Sequence, residues 1–390
     1  MEKTQKNKDF REELIRWRRH LHKHPESAFE EKETAAYLAA ELEAMGLEVH
    51  RGVGRTGLVA NLAGRPGGTV IGIRADMDAI CMTEKGDRPW ASINPERMHA
   101  CGHDGHMATL LGAARLLSRQ RNFSGTVRFI FQPAEEPGYG ARAMLEEGLL
   151  ERFPLDEIYG FHNIPTFPAG TIQTRTGGIM ASEDDFTIKI TGKGSHSSSP
   201  HIGVDPLVTA AEIILALQTV VSRNVPPTET AVISCTELET DGVRNAIPSH
   251  VTIKGDTRSF TPLVQALLEE RMRTLCDNIC RMHGALCDFS YTHEFAPAIN
   301  WAEPVANAVA AARNIVGSEN VVVPCEPAMA SEDFGLFLEK IPGCIVFLGT
   351  GRDPSPQNNI PLHNALYDYN DDMLETGAKF FAELVRLRLS

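Results

Sequence analysis

Residues 69–80 read TVIGIRADMDAI, an apolar run that stops at Asp76 and Asp78. The run is short and rich in β-branched residues, which predicts a strand over about 69–75. Four further segments end in a metal ligand or a carboxylate. These are HACGHDGH (99–106) with Cys101 and His103, TVRFIFQPAEE (126–136) with Glu135 and Glu136, EIYGFHN (157–163) with His162, and NIPLHN (359–364) with His363. Most of these groups fall where a predicted strand runs out, and open α/β sheets build their ligand sites at the carboxyl ends of their strands.

Working outward, amphipathic helices are predicted at 9–23 and 30–45, with Pro25 at the break between them. Strands follow at 47–53, 57–63, 126–132 and 157–162, and helices at 104–119 and 140–150. Strands alternating with helices give an α/β fold whose sheet is mostly parallel and covered by helices. After Ser182 the pattern changes. DDFTIKITG is an alternating strand, residues 205–223 a helix, ETAVISCTELETD and HVTIKGDTRSF two strands, residues 261–284 a helix and ALCDFSYTHEF a last strand. This β-α-β-β-α-β order is that of a ferredoxin-like domain. It implies an insert at 183–292 within a catalytic domain made of 1–182 plus 293–390.

The 390 residues carry 38 Lys+Arg against 51 Asp+Glu, a formal charge of −13, which argues against nucleic acid and anionic membrane as partners. Eight cysteines show no framework spacing, so reduced thiols and a cytoplasmic location are expected. The polar start MEKTQKNKDFREEL is not a secretory signal, and no run is expected to span a membrane.

Cys101 and His103 stand one residue apart at the start of a predicted helix. A thiolate and an imidazole suit zinc or another borderline divalent ion, and a helix N-terminus favours the thiolate. Asp104 and His106 could orient those ligands or simply cap the helix. Neighbouring side chains at a strand end point opposite ways, so one of Glu135 and Glu136 can bind metal while the other acts as a general base. His162 and His363 carry little signal alone, and His20, His22 and His24 read as structural. Cys276, Cys280 and Cys287 read as helix core and strand. GKGSHSSSPH (192–201) presents His196 and His201 at the tip of a turn. Asn245 and Arg258 flank the paired central strands of the insert, and an arginine there could clamp a carboxylate.

Taken together, these motifs resemble the co-catalytic metallopeptidase family of aminoacylases and carboxypeptidases, in its amidohydrolase subgroup of hippurate and indole-acetyl-amino-acid hydrolases. RRHLHKHPESAFEE, RADMDAI, FQPAEE, FHNIP, SEDFGLFLEKIPG, FLGTG and PLHNALYDYND carry the resemblance over nearly the whole chain. It implies two divalent ions held by Cys101, His103, Glu136, His162 and His363, with Glu135 as catalytic base. Zinc or manganese is expected, with cobalt and nickel also compatible with mixed S, N and O ligands. His196 falls on the position that polarises the scissile carbonyl, Asn245 and Arg258 on substrate-binding positions, and the insert on a lid and dimerisation domain of a homodimer or dimer of dimers. Cys81, Pro137, Ser195 and Ser197–Ser199 depart from the common pattern without removing a ligand.

The expected reaction is hydrolysis of the amide bond of an N-acyl amino acid. A metallo-dipeptidase or carboxypeptidase is the alternative within the same chemistry. Nucleophilic catalysis by Cys101 with a histidine base and a catalytically silent binding protein are the rivals outside it.

Overall fold

The computed structural model describes residues 2–390, with side chains from Lys8 onward. The chain divides into two compact units. The first comprises residues up to Ile179 with Ile299–Glu326 and Asp333–Ser390, and the second comprises Met180–Ala298 with Pro327–Glu332. Residues 327–332 go with the second unit although they are remote from it in sequence.

In the first unit, helices α1 (Glu2–Lys23) and α2 (Lys32–Ala44) lead into strands β1 (Glu48–Val53), β2 (Gly57–Ala63) and β3 (Arg65–Asp76). Helix α3 (His103–Arg119), strand β4 (Ser124–Gln132), helix α4 (Gly140–Glu146) and strand β5 (Glu157–Pro168) follow. With strands Gly343–Gly351, Ile172–Gln173 and Val321–Val322 they make one eight-stranded sheet, in the order β1-β2-β4-β3-β5, then 343–351, 172–173 and 321–322. Its centre is parallel: β4 with β3, β3 with β5, and β5 with 343–351. Antiparallel pairs lie outside that centre, β1 with β2, β2 with β4, and 343–351 with 172–173. The sheet is therefore mixed, with its parallel part where the candidate site lies.

β3 and the strand 343–351 show why a parallel centre reads as a continuous apolar run. Ile71, Ile73, Ala75 and Met77 are buried in one core, and a Cβ on Gly72 would come within 2.9 Å of Leu155. Both faces are thus covered, so neither tolerates polar alternation. The same core takes residues from α1, α2 and α3 and from helices Ala302–Val316 and Leu374–Arg388.

Two local expectations change. The helix expected at 140–150 is broken into Gly140–Glu146 and Leu149–Arg152, because Gly148 adopts a left-handed φ of 81° between them. His162 does not close its strand, since β5 continues to Pro168. Its register with β3 ends at Gly160↔Arg74, whereas its register with 343–351 runs on past His162↔Phe347. One edge of β5 therefore opens at His162, where β3 stops.

The second unit has four antiparallel strands in the order Ala231–Thr240, His250–Ser259, Glu183–Thr191, Leu286–Phe295, with helices Pro206–Arg223 and Pro262–His283. This is the split β-α-β-β-α-β arrangement. Helix Pro206–Arg223 meets, by length and composition only, the test for a membrane-crossing helix. Its buried residues Thr209, Ala210, Ile213, Leu217 and Val220 recur at helical spacing, and the apolar ones join this unit's core.

Candidate metal centre

The first unit gathers six side chains from four distant segments. Cys101 Sγ lies 3.5 Å from His162 Nε2 and 3.4 Å from His363 Nε2. His363 Nε2 is 3.6 Å from Glu136 Oε2, and His103 Nε2 is 3.8 Å from both Glu135 Oε2 and Glu136 Oε1. Among the groups that could hold an ion are two triplets, Cys101–His103–His162 and Cys101–Glu136–His363, each with all its donor atoms within 4.8 Å of one another. They share one atom, the sulfur of Cys101.

The donor set fits divalent ions. Ligands 2.0–2.3 Å from a tetrahedral ion stand about 3.3–3.8 Å from one another, and the Cys101–His162, Cys101–His363 and His363–Glu136 distances of 3.5, 3.4 and 3.6 Å fall in that range. His103 Nε2 and Glu136 Oε1 are buried with no hydrogen-bond partner. A cation would satisfy both.

The backbone presents these donors in the orientation a cation needs. Cys101 precedes α3, whose N-cap is Gly102 at φ 95°, and a Cβ there would come within 2.5 Å of Asn163 Oδ1. Glycine is thus required both for the turn and for the close approach. His103 Nδ1 faces the Asp78 carbonyl at 2.9 Å, and His162 Nδ1 faces the Asn163 carbonyl at 2.9 Å. A carbonyl only accepts, so each Nδ1 donates and each Nε2 turns a lone pair toward Cys101 and the carboxylates.

Carboxylates behind the donors make the field strongly negative. Burial opposes a charge on His103, yet Asp76, Asp78 and Glu136 push its pKa up to about 10. Burial pushes the Glu136 carboxyl up to about 7 and His162 down to about 3. A field that holds a proton on His103 also favours a divalent cation, and the two compete for the same lone pair.

Residues behind the expected ligands complete the site, His106, Asp76 and Asp78 of the sequence motifs among them. His106 Nδ1 meets Asp76 Oδ1 at 2.6 Å and its Nε2 meets Asn163 Oδ1 at 2.6 Å, while Asn163 Nδ2 donates to Tyr367 Oη at 2.7 Å. His106 therefore sits behind His103 and His162. Asp104 turns away from them to Arg18 at 2.8 Å and His22 at 2.8 Å. Asp78 accepts from the Glu135 and Glu136 amides, both at 3.0 Å. Arg74 joins Asp76 at 2.7 Å and Asp333 at 3.1 Å, and Asp333 also accepts from Gln132 and the Ala141 amide. Asp76 and Asp78 end the strand quoted at the outset, but nothing in the sequence distinguishes Asn163, Tyr367 or Asp333 from ordinary polar residues.

The remaining candidates belong to the second unit. His196 and Asn245 are neighbours, because Ser195–His196 pairs with Ala246–Ile247 and Ser197 N–H donates to the Asn245 carbonyl at 3.1 Å. Ser198 N–H donates to His196 Nδ1 at 3.2 Å. The neutral ring then carries its proton on Nε2. His201 is exposed in a short 3₁₀ turn. Arg258 is already engaged, by Glu183 at 2.7 Å, Asp256 at 2.9 Å and Ser331 at 3.3 Å. His20, His22 and His24 stand apart from the cluster. His20 stacks on Tyr37 and His22 sits among Arg18, Asp104 and Glu84.

The family model for peptidase family M20/M25/M40 matches residues 72–387. The chain belongs to this family. It is 38% identical over 380 residues to an N-acetylcysteine deacetylase of Bacillus subtilis, covering 97% of each chain. It is 37% identical over 376 residues to a hippurate hydrolase of Campylobacter jejuni, covering 96% of each. A crystal structure described as a dinuclear metal-binding M20 peptidase from Bacillus subtilis superposes with a TM-score of 0.86 at 36% identity, over 98% of this chain and 99% of that one. The M20 assignment accounts for the large mixed sheet with its helices.

Proposed function

We propose that this M20 protein is a metal-dependent amidohydrolase that cleaves N-acyl amino acids into an amino acid and a carboxylic acid. The two donor triplets joined at Cys101 Sγ, with the Glu135 carboxylate beside them, carry this reading. The deacetylase and hippurate hydrolase named among its relatives support the substrate class. Cys101, His103 and His162 would hold one divalent ion and Cys101, Glu136 and His363 a second. When bound, such ions supply Lewis acidity, acidifying water and polarising the scissile carbonyl. Zinc or manganese suits this mixture of S, N and O donors.

Glu135 is the general base. It takes a proton from the attacking water as the C–O bond forms, then delivers it to the amide nitrogen as the C–N bond breaks. His196, with its proton on Nε2, is suited to donate to the oxygen that gains charge. Asn245 and Arg258 bind the substrate's polar groups. A dimer through the second unit and a cytoplasmic location complete the reading. Exposed apolar residues on that unit support the first, and free cysteines support the second.

Protein reconstituted with Zn²⁺ or Mn²⁺ and assayed on a panel of acetyl and benzoyl amino acids tests this. Glu135→Gln should lower turnover by about 10²–10⁴ with metal retained. Near-normal turnover in that variant, or none by the wild type across the panel, refutes the reading. Activity that survives chelation would instead favour Cys101 as a nucleophile.

A further inference from the structure

Three consecutive amides approach the base, and all three donate to carboxylates. Glu135 N–H and Glu136 N–H go to Asp78, whereas Ala134 N–H goes to Glu31 Oε1 at 2.9 Å. Ala134 is one of four described non-glycine residues with positive φ, at 49°. That conformation is unfavourable for a residue with a Cβ and persists only where the surroundings impose it. The Ala134 carbonyl is fixed as well, accepting from Gly140 N–H at 2.9 Å and Tyr139 N–H at 3.2 Å.

Glu31 is unusual in its own right. It occupies the N-cap of α2, yet its side chain makes no capping bond to that helix. It is fully buried instead, with Oε1 on Ala134 and Oε2 accepting from Thr56 Oγ1 at 2.5 Å. A carboxylate taken out of water is costly unless it is partnered. Here its partners are the strained backbone before Glu135 and one hydroxyl. Burial pushes its pKa upward, in keeping with that cost.

We infer that Glu31 is a positioning residue for the reaction: it holds the left-handed Ala134 amide so that the Glu135 carboxylate stays aimed at its proton. This rests on the assignment of Glu135 as base. Glu31 touches neither substrate nor metal in this scheme and acts through the 134–136 backbone.

Variants of the metal-loaded protein test it. Glu31→Ala should lower kcat by roughly 10- to 100-fold, the scale set by misplacing a catalytic group by about an ångström, with KM and bound metal within about twofold of wild type. In metal-free protein the same change should speed amide exchange in the peptide covering 132–138. Ala134→Gly removes the need to enforce the left-handed turn, so Glu31→Ala/Ala134→Gly should recover at least about threefold of the lost kcat. Glu31→Gln keeps an oxygen for Ala134 N–H and should stay within about threefold of wild type. Glu31→Asp withdraws the carboxylate by one methylene and serves if Glu31→Ala does not fold, with an expected loss of about 3- to 10-fold.

Wild-type kcat in Glu31→Ala, or in Glu31→Asp if Glu31→Ala does not fold, overturns the inference. So does a loss that neither changes exchange at 132–138 nor recovers with Ala134→Gly. The Glu135→Gln control separates the two claims. If it is inactive while Glu31→Ala is fully active, only the positioning role falls, and if it is active, the base assignment falls first.

Discussion

Arg18 and His22, one helical turn apart on α1, show how a charged cluster survives burial beside the metal centre. Arg18 lies 2.8 Å from Asp104, 2.5 Å from Asp368 and 3.4 Å from Asp371. His22 Nδ1 is 2.8 Å from Asp104, and its Nε2 is 3.2 Å from Glu84. Asp104 is held well below the usual carboxylate range, because Arg18 and His22 outweigh the burial that opposes its charge. Burial and then Arg18 work against protonation of His22, but Asp104 and Glu84 win and raise its pKa. The folded pKa therefore exceeds the unfolded value of about 6.5. The His22 contribution to stability is full below that value and is lost as pH climbs through the folded pKa. In urea titrations, the stability gap between wild type and His22→Gln should be wide at pH 6 and narrower at pH 9. Parallel curves for the two proteins across that range would show that His22 is not charged in the fold.

At the level of elements, the second unit presents an unpaired strand edge. Among the described residues, Ala231–Thr240 is hydrogen-bonded on one side only, to His250–Ser259, and it exposes Val232 and Leu238. Helix Pro206–Arg223, which packs on this sheet, exposes Val208 and Leu215, the latter by 72%. A free edge with apolar neighbours invites pairing with a second copy. If the proposed dimer forms here, Val208→Glu/Leu215→Glu should sediment as a monomer where the wild type sediments as a dimer. A wild-type monomer, or a variant that remains dimeric, would remove this surface as the interface. The strands themselves were legible in the sequence, because a buried strand such as β3 has to be apolar nearly throughout and then stop. The ligand types were legible for a related reason, since Cys101, His103 and the Glu135–Glu136 pair stand beside apolar elements. The bracing was not. Asp78 reaches amides 57 and 58 residues away, and Glu31 reaches one 103 residues away. No local pattern encodes such pairings. The extension of β5 beyond His162 was hidden for the same reason, because it depends on a neighbour nearly two hundred residues downstream.

For the molecule as a whole, the decisive fact is that every proposed metal ligand lies in the first unit, on segments running from residue 101 to residue 363. An ion bound only by the folded state stabilises it by RT ln(1 + [L]/Kd), about 2.7 kcal/mol at a hundred times Kd. That stabilisation should be local in its structural effect, since amides report the opening of the segments that contain them. Removing metal with a chelator should therefore raise deuterium uptake in peptides covering 98–106, 132–138 and 359–366. The core strand Glu183–Thr191 of the second unit should exchange as before. The pattern discriminates between readings. A rise confined to the second unit would place the ions elsewhere, and unchanged exchange at 98–106 would mean that Cys101 and His103 hold none. Restoring the metal should restore protection in the same three peptides, in step with recovery of amide hydrolysis. Recovery of protection without hydrolysis would leave a metal-binding fold and remove the catalyst.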